Sequence, residues 1–176
     1  MEEEQTDPRV KPTTLATRVC ATLNEHGVNY LVIGGIACVL HGYIRATTDV
    51  DILIERSLEN ARRLLEALET IGFGFAREWR AEEILARPIT VIGDDPQVDI
   101  FTVAWSVKYD GAIEHASTVT VEEVDIPLIG IDDLIETKRT GRPLDTADIE
   151  ALEEIRRIRN SGHGNNSHRH KQPLSS

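Results

Sequence analysis

The sequence predicts a mixed α/β (α+β) domain, in which helices flank a central mixed β-sheet and further helices end the chain. Its 176 residues fit a single domain. Short apolar runs bounded by glycine or proline predict strands, and segments with apolar residues every three or four positions predict helices. Because these strands and helices follow one another in mixed order, the chain is expected to form a sheet with helices packed on it.

In the first half of the chain, helical spacing of apolar residues predicts helices over residues 13–26, 36–41 and 58–71. Apolar runs predict strands over residues 30–33 and 49–55. Ser57 can cap the third helix and Gly72 can end it. Residues 73–86 fit neither pattern.

The second half is predicted to hold strands over residues 88–92 and 98–103, with a turn at 93–96, and a strand pair at 118–121 and 126–129. Asp132 is expected to cap a helix over 133–140, and Gly141-Arg142-Pro143 breaks the chain's helical pattern after it. Asp145 and Asp148 are spaced like a capping arrangement for a last helix. The apolar face of that helix is formed by Ile149, Leu152, Ile155 and Ile158.

Both ends of the chain are polar, which predicts disorder over residues 1–10 and 161–176 and a folded domain over 11–160. No apolar run approaches the roughly 20 residues of a membrane helix, and the acidic start is unlike a secretory signal. Cys20 and Cys38 lie in apolar stretches, as buried free thiols do in a reducing compartment. We therefore expect a cytoplasmic protein that binds no membrane.

The formal net charge of −11 argues against broad nucleic-acid binding, which depends on basic patches. It is compatible with a site that recruits metal cations.

Three aspartates stand out as candidate catalytic and metal-binding residues. Asp49 and Asp51 lie two apart on a predicted strand, so their side chains share one face with Cα atoms about 6.6 Å apart. Asp99, between Val98 and Ile100, lies on another predicted strand. If the two strands are neighbours, the three acids meet at one edge of the sheet.

A carboxylate cluster is costly when empty, because two like charges about 4 Å apart repel by roughly 4 kcal/mol at an effective dielectric constant of about 20. It therefore needs raised pKa values or a divalent cation, and oxygen ligands favour Mg²⁺ or Mn²⁺. The alternative is that Asp49 caps a strand, Asp51 faces solvent and Asp99 is unrelated to them. The rival acids for the third position are Glu78, Glu82, Asp94 and Asp95.

A glycine pair precedes these acids. Gly34-Gly35 follows an apolar strand, precedes a helix and stands thirteen residues ahead of Asp49. Such a turn can present backbone N–H groups to phosphate oxygens, although a glycine pair alone can also be only a turn.

Together, Gly34-Gly35, the spacer, Asp49-Val50-Asp51 and Asp99 resemble the DNA polymerase beta nucleotidyltransferase superfamily. The string Gly-Gly-x-Ala-x-x-x-His-Gly-x-x-Arg-x-Thr-x-Asp-x-Asp, from Gly34 to Asp51, resembles its small bacterial branch, which includes abortive-infection toxins. Residues 138–148 are similar to a late segment of those relatives. The resemblance implies the nucleotidyltransferase fold.

The resemblance also implies an activity, in which a nucleoside monophosphate passes from a nucleoside triphosphate to an acceptor hydroxyl and pyrophosphate leaves. The triphosphate would lie against Gly34-Gly35, and Asp49, Asp51 and Asp99 would hold Mg²⁺ (or Mn²⁺). Asp99 would also accept the proton of the acceptor, which can be a small molecule, a tRNA or a protein. Many active relatives carry serine where this chain has Gly35, and that change removes a hydroxyl contact to phosphate.

Further nucleotide-binding candidates are Arg45 and Thr48, in the loop before Asp49, and Lys138, on the apolar face of its helix. Arg45 can pair with phosphate or form a structural ion pair, and Lys138 can contact the triphosphate or extend to water. His41 is a helix-end residue or a catalyst. Trp79 and Trp105 either stack on a base or pack within the protein.

A second hypothesis keeps the fold without the reaction. The chain would then be a non-catalytic module that binds a nucleotide or a partner, for example a toxin–antitoxin component with an antitoxin or regulatory partner.

Overall fold

The computed structural model describes residues 12–72, 74–93 and 97–164. Its strands are β1 (Tyr30–Ile33), β2 (Val50–Ile54), β3 (Ile89–Ile92), β4 (Val98–Phe101), β5 (Ser117–Val121) and β6 (Val124–Leu128). Its helices are α1 (Pro12–Glu25), α2 (Gly34–Leu40), α3 (Leu58–Ile71), α4 (Ala81–Leu85), α5 (Tyr109–Ala112), α6 (Ile131–Thr137) and α7 (Pro143–Gly164). Short 3₁₀ helices span Gly74–Glu78 and Ile113–His115.

The strands form one mixed sheet in the order β3-β4-β2-β1-β6-β5. β2 runs parallel to β4 and antiparallel to β1, and β1 runs parallel to β6. The outer strands β3 and β5 pair antiparallel with β4 and β6. The predicted mixed α/β fold is confirmed, as is the predicted late strand pair.

The two central strands position the site. Every residue of β1 is buried, and so is every residue of β2 except Asp51. Since each fully buried Leu or Ile side chain contributes roughly 1.5–3 kcal/mol, the register of these strands is strongly held. A slip of one residue would turn Asp51 into the core.

Helix α3 has the predicted bounds because both of its ends are marked in the sequence. The Ser57 side chain accepts a hydrogen bond from the backbone N–H of Asn60. Gly72 ends the helix with a φ of 108°, a conformation that glycine adopts without strain. The unassigned residues 73–86 contain the 3₁₀ helix Gly74–Glu78 and helix α4.

Two of the predicted helix starts are wrong. Helix α2 begins at Gly34 rather than at residue 36. Helix α6 is capped by Gly130, whose carbonyl accepts from the N–H of Leu134, so Asp132 lies in the first turn instead of capping it. A side chain at Gly130 would not fit, because its Cβ would lie 2.7 Å from the carbonyl oxygen of His115.

The predicted break at Gly141-Arg142-Pro143 is present, because α6 ends at Thr137 and α7 begins at Pro143. Proline is common as the first residue of a helix, where its missing N–H has no helical partner. Asp145 and Asp148 do not cap α7, because both lie within it and are held by ion pairs with Lys138.

Helix α7 continues through Gly164, so the predicted disorder from residue 161 starts too early. The predicted disorder over residues 1–10 and 165–176 lies outside the described residues, as do residues 94–96 of the predicted turn. No helix in the described ranges is long and apolar enough to cross a membrane.

Candidate active site

The glycine pair lies where β1 ends and α2 begins. Gly34 has a φ of +67°, and a Cβ added there would lie 1.8 Å from Asp51 Oδ2. The backbone N–H of Gly35 donates a hydrogen bond to the Asp51 carboxylate. The glycine at position 34 therefore lets Asp51 lie directly against the turn, and no other residue fits without displacing that carboxylate.

At position 35, a different neighbour leaves no room for a side chain. A Cβ at this position would lie 2.6 Å from Thr47 Oγ1 and 2.8 Å from Thr47 Cβ. The Thr47 side chain thus occupies the space that a serine at position 35 would need. A hydroxyl is still present at the turn, but it belongs to Thr47.

The three predicted aspartates line one cleft with a volume of about 510 Å³. Asp51 on β2 is the register partner of Asp99 on the neighbouring parallel strand β4. Asp49 immediately precedes β2. The structure therefore brings together the acids that the sequence could group only on the condition that their strands were neighbours.

The cleft raises the pKa of Asp51 to about 7. Burial is the largest cause, and the negative charges of Asp99 and Asp49 add to it. The ammonium of Lys138 and the hydrogen bond from Gly35 act in the opposite direction. The metal-free cleft thus disfavours a third negative charge.

The other two carboxylates have hydrogen-bond donors of their own. Gln97 Nε2 donates to Asp99 Oδ1 over 2.8 Å, and Thr48 Oγ1 donates to Asp49 Oδ1 over 3.1 Å. Among the described residues, no three His, Cys, Asp or Glu side chains stand close enough to form a ready-made metal site. For all three carboxylates to share an ion, their side chains would have to turn towards one another.

The donor set nevertheless fits a hard divalent cation, because it offers only oxygen atoms. An added positive charge would also relieve the repulsion that raises the pKa of Asp51. Mg²⁺ or Mn²⁺ held by Asp49, Asp51 and Asp99 is consistent with the residues present.

A group of buried charges lies beside the acids. Lys138 Nζ is 2.7 Å from Asp148 Oδ2 and 3.6 Å from Asp145 Oδ1, and Arg45 Nη1 is 2.8 Å from the same Asp148 oxygen. Lys138 is only 6% exposed, so it does not extend to water. The other oxygen of Asp148 is buried without a hydrogen-bond partner. Arg142 joins this group through Asp145, 2.8 Å away.

Arg45 and Lys138 both line the cleft with the glycine pair, as the predicted nucleotide site requires. Thr48 is not among the lining residues, whereas its neighbour Thr47 is. Thr47, not Thr48, is the threonine of the motif that runs from Gly34 to Asp51. The motif alone therefore indicated Thr47 as the better candidate. The sequence spacing predicts a capping role for Asp148, because nothing nearby in the sequence indicates its partner Arg45.

The cleft is also lined by apolar side chains: Ile89, Phe101, Trp105 and Leu144. Trp79 is not part of this lining, because it packs partly buried against the core and lies beneath the guanidinium of Arg87, 4.8 Å from its ring centre. Among the rival acids, Glu78 and Glu82 do not line the cleft, and Asp94 and Asp95 lie outside the described residues.

His41 makes structural contacts away from the carboxylate cleft. It ends α2, and its Nε2 donates to the carbonyl of Ile129 over 2.8 Å. Arg159 donates to the His41 carbonyl over 2.7 Å and lies 3.2 Å from Nδ1. Burial is the main cause that lowers the pKa of His41, and Arg159 contributes. This histidine joins α2, the end of β6 and α7, and it does not line the carboxylate cleft.

A second cleft of similar volume, about 490 Å³, lies at the far end of β2 beside residues 85–88. It contains none of the predicted site residues. Position of the acids, rather than cleft size, therefore identifies the candidate active site.

Comparison with protein-family models and with curated proteins finds no match. Solved structures do match. An antigenic nucleotidyltransferase-like protein from Paracoccidioides brasiliensis has a TM-score of 0.58 at 16% identity, covering 84% of this chain and 76% of that one. The lincosamide antibiotic adenylyltransferase LnuA has a TM-score of 0.53 at 17% identity, covering 80% and 96%. The antibiotic-resistance factor ANT(2″)-Ia has a TM-score of 0.50 at 14% identity, covering 89% and 97%. The chain therefore has the nucleotidyltransferase fold that its sequence predicted.

Proposed function

We propose that this protein is a metal-dependent nucleotidyltransferase, which moves a nucleoside monophosphate from a nucleoside triphosphate to an acceptor hydroxyl and releases pyrophosphate. One observation carries the proposal. Asp51 and Asp99 lie in register on neighbouring strands, with Asp49 beside them, in a cleft that also contains the Gly34-Gly35 turn.

Asp49, Asp51 and Asp99 would hold Mg²⁺ (or Mn²⁺). When bound, the ion supplies Lewis-acid stabilisation of the negative charge on the reacting phosphate. The chain contributes three carboxylates whose mutual repulsion favours a cation. Asp99 would also accept the proton of the acceptor hydroxyl, as the resemblance to the superfamily implies; it lies on β4, with β2 between it and the strand that leads into the glycine turn.

The triphosphate lies against the Gly34-Gly35 turn, beside the Asp51 carboxylate and the Thr47 side chain that pack on it. The Thr47 hydroxyl, next to Gly35, takes the role of a side-chain donor at this turn. Lys138 and Arg45 place two positive charges on the same cleft, and these balance part of the phosphate charge.

The two antibiotic-modifying neighbours support transfer to a small acceptor as one form of this reaction. LnuA was solved with lincomycin bound, and ANT(2″)-Ia was also solved in complex with adenylyl-2″-tobramycin. For this chain the acceptor classes are a small molecule, a tRNA or a protein. Two buried free cysteines, Cys20 and Cys38, are consistent with a cytoplasmic site of action.

The test is Mg²⁺-dependent release of pyrophosphate and transfer of labelled nucleotide, together with calorimetric binding of the four triphosphates with and without Mg²⁺. Asp49→Asn and Asp51→Asn should each lower transfer by orders of magnitude, because a lost ligand costs several kcal/mol of transition-state stabilisation. Asp110→Asn is the matched control, because Asp110 is exposed and outside the carboxylate cleft. Transfer that survives both site substitutions would reject the mechanism.

The second candidate is a non-catalytic module that binds a nucleotide or a partner, such as an antitoxin. Its specific support is that Arg45 and Lys138 already have a buried partner in Asp148. Triphosphate binding without any pyrophosphate release would favour this candidate.

A further inference from the structure

Four of the side chains that line the carboxylate cleft are large and apolar, and we call them the apolar wall: Ile89, Phe101, Trp105 and Leu144. Trp105 is 60% exposed and Leu144 is 59% exposed. Side chains so exposed add little to folding through burial. Exposed apolar residues that cluster beside a cleft mark a surface that binds something else.

The conformation of Trp105 is unfavourable for its residue type. It is the first of two residues between Ala104 and Val107, whose backbones exchange hydrogen bonds of 2.9 and 3.0 Å. Its φ is 58°, where tight turns favour glycine or asparagine and a bulky residue is an outlier. Ser106 Oγ donates to Glu136 Oε1 over 3.0 Å, which anchors the turn to α6. Neither turn geometry nor burial accounts for tryptophan at this position.

The strand register places Phe101 and Ile89, two members of the apolar wall, on the opposite side of the acids from the glycine turn. Ile33, Asp51 and Asp99 form one row across the sheet, and Gly34 continues β1 beyond that row. Two rows further on, in the other direction from the turn, Phe101 pairs with Ile89. Along the strands the order is therefore the glycine turn, then Asp51 and Asp99, then Phe101 and Ile89, with about 6.6 Å between the Cα atoms of Asp99 and Phe101.

This order indicates where the leaving pyrophosphate and the acceptor would lie. In an in-line displacement, the attacking oxygen and the leaving group stand on opposite sides of the phosphorus. If the leaving pyrophosphate lies at the Gly34-Gly35 turn, the acceptor approaches from the apolar wall. The new bond joins the acceptor oxygen to the α-phosphorus, the bond to pyrophosphate breaks, and the hydroxyl proton passes to Asp99.

We propose that the acceptor is a small alcohol with a planar apolar group, which stacks on Trp105 and contacts Leu144. This inference rests on the proposed function, because the hydroxyl has to reach Asp99. A cleft of about 510 Å³ is of the size that holds small molecules. The net charge of −11 disfavours a polyanionic acceptor.

The test follows the indole N–H signals of the full ¹⁵N-labelled chain by NMR. The chain has 2 tryptophans, and the substitution Trp79→Phe identifies the Trp105 signal. The probes are 2-naphthylmethanol, its saturated counterpart decahydro-2-naphthylmethanol, and each of the four nucleoside triphosphates with Mg²⁺. We expect 2-naphthylmethanol to shift the Trp105 signal saturably, alone and with a triphosphate bound, and the saturated alcohol to bind more weakly.

Leu144→Ala should weaken binding of 2-naphthylmethanol about tenfold, the change expected for losing about 1.4 kcal/mol of contact. Ile158→Ala is the matched control, because Ile158 is similarly exposed but lies outside the cleft. Its affinity for the probe should equal that of the unaltered chain.

Two results would overturn the proposal. If a triphosphate shifts the Trp105 signal and displaces 2-naphthylmethanol, the apolar wall binds a nucleobase. If neither probe alcohol saturates that signal, the wall is not an acceptor site. Failure of the proposed function is separate, since it appears either as Gly34 and Gly35 amide signals that respond to none of the four triphosphates or as triphosphate binding without release of pyrophosphate. That result removes the acceptor role even if the alcohol still binds.

Discussion

Replacing Asp51 with asparagine should stabilise the metal-free protein at alkaline pH. Burial, followed by the charges of Asp99 and Asp49, raises the pKa of Asp51 from 3.8 to about 7. Each pKa unit corresponds to 1.36 kcal/mol. At a pH above both values, ionised Asp51 therefore lowers the free energy of unfolding by about 4 kcal/mol relative to a group with an unshifted pKa.

The direction with pH follows from proton binding. Below pH 3.8 this carboxyl is protonated in both states and its ionisation has no effect on stability. Between that pH and about 7 the folded protein keeps a proton that the unfolded chain loses, so stability falls as the pH rises. Above about pH 7 the loss is complete. Asparagine has the same shape and can still accept from Gly35, but it never ionises.

The assay is urea denaturation in EDTA at pH 5 and pH 8, with Asp110→Asn as the control for loss of an exposed carboxylate. The gain in the free energy of unfolding from Asp51→Asn should be roughly 2–3 kcal/mol larger at pH 8 than at pH 5. Mg²⁺ should shrink that gain, because it stabilises the ionised form. An equal effect at the two pH values, or a less stable variant at pH 8, would refute the electrostatic reasoning.

Three further changes probe the packing around the cleft, each by urea denaturation. Gly34→Ala should lower the free energy of unfolding by about 2–4 kcal/mol, since its Cβ meets Asp51 and its φ is +67°; a loss below 1 kcal/mol would contradict the contact. Gly35→Ser should cost about 1–3 kcal/mol, and adding Thr47→Ala should recover most of it, whereas purely additive effects would show that Thr47 is not the obstacle. Asp148→Ala should cost about 3–5 kcal/mol by leaving Lys138 and Arg45 without their buried partner, against less than about 1 kcal/mol for the exposed Asp132→Ala; similar losses would contradict the importance of burial.

Local sequence patterns predicted an element correctly where the residues that determine its ends are part of the element or adjacent to it. β1 was predicted with its observed bounds because a continuous apolar run ends at Gly34. Helix α3 was predicted equally well because Ser57 and Gly72 mark its ends. Grouping Asp51 with Asp99 needed the additional knowledge that β2 and β4 are neighbours, which depends on the order of strands in the sheet.

Residues whose roles depend on distant partners could not be placed in this way. Asp148 has the spacing of a cap, but its partner Arg45 is 103 positions away. Thr47 and Thr48 are adjacent, and only the contact with Gly35 determines which of them faces the turn. Lys138 was placed on an inward helix face, but the acids that hold it came from the next helix.

The features that disfavour folding are concentrated around one cleft. Asp51 is held where its pKa rises to about 7, Lys138 and Asp148 are buried as ions, and Trp105 has a φ of 58°. Replacing a buried ion pair with apolar residues is often neutral or stabilising, so selection for stability alone does not explain this set. Natural proteins tend to keep locally unfavourable residues at functional sites. The occurrence of three such features beside the glycine turn therefore supports this cleft as the functional site. Local pattern failed for Asp148 because its partner Arg45 is distant in the sequence, and it left Trp105 undecided because neither turn geometry nor burial favours tryptophan there.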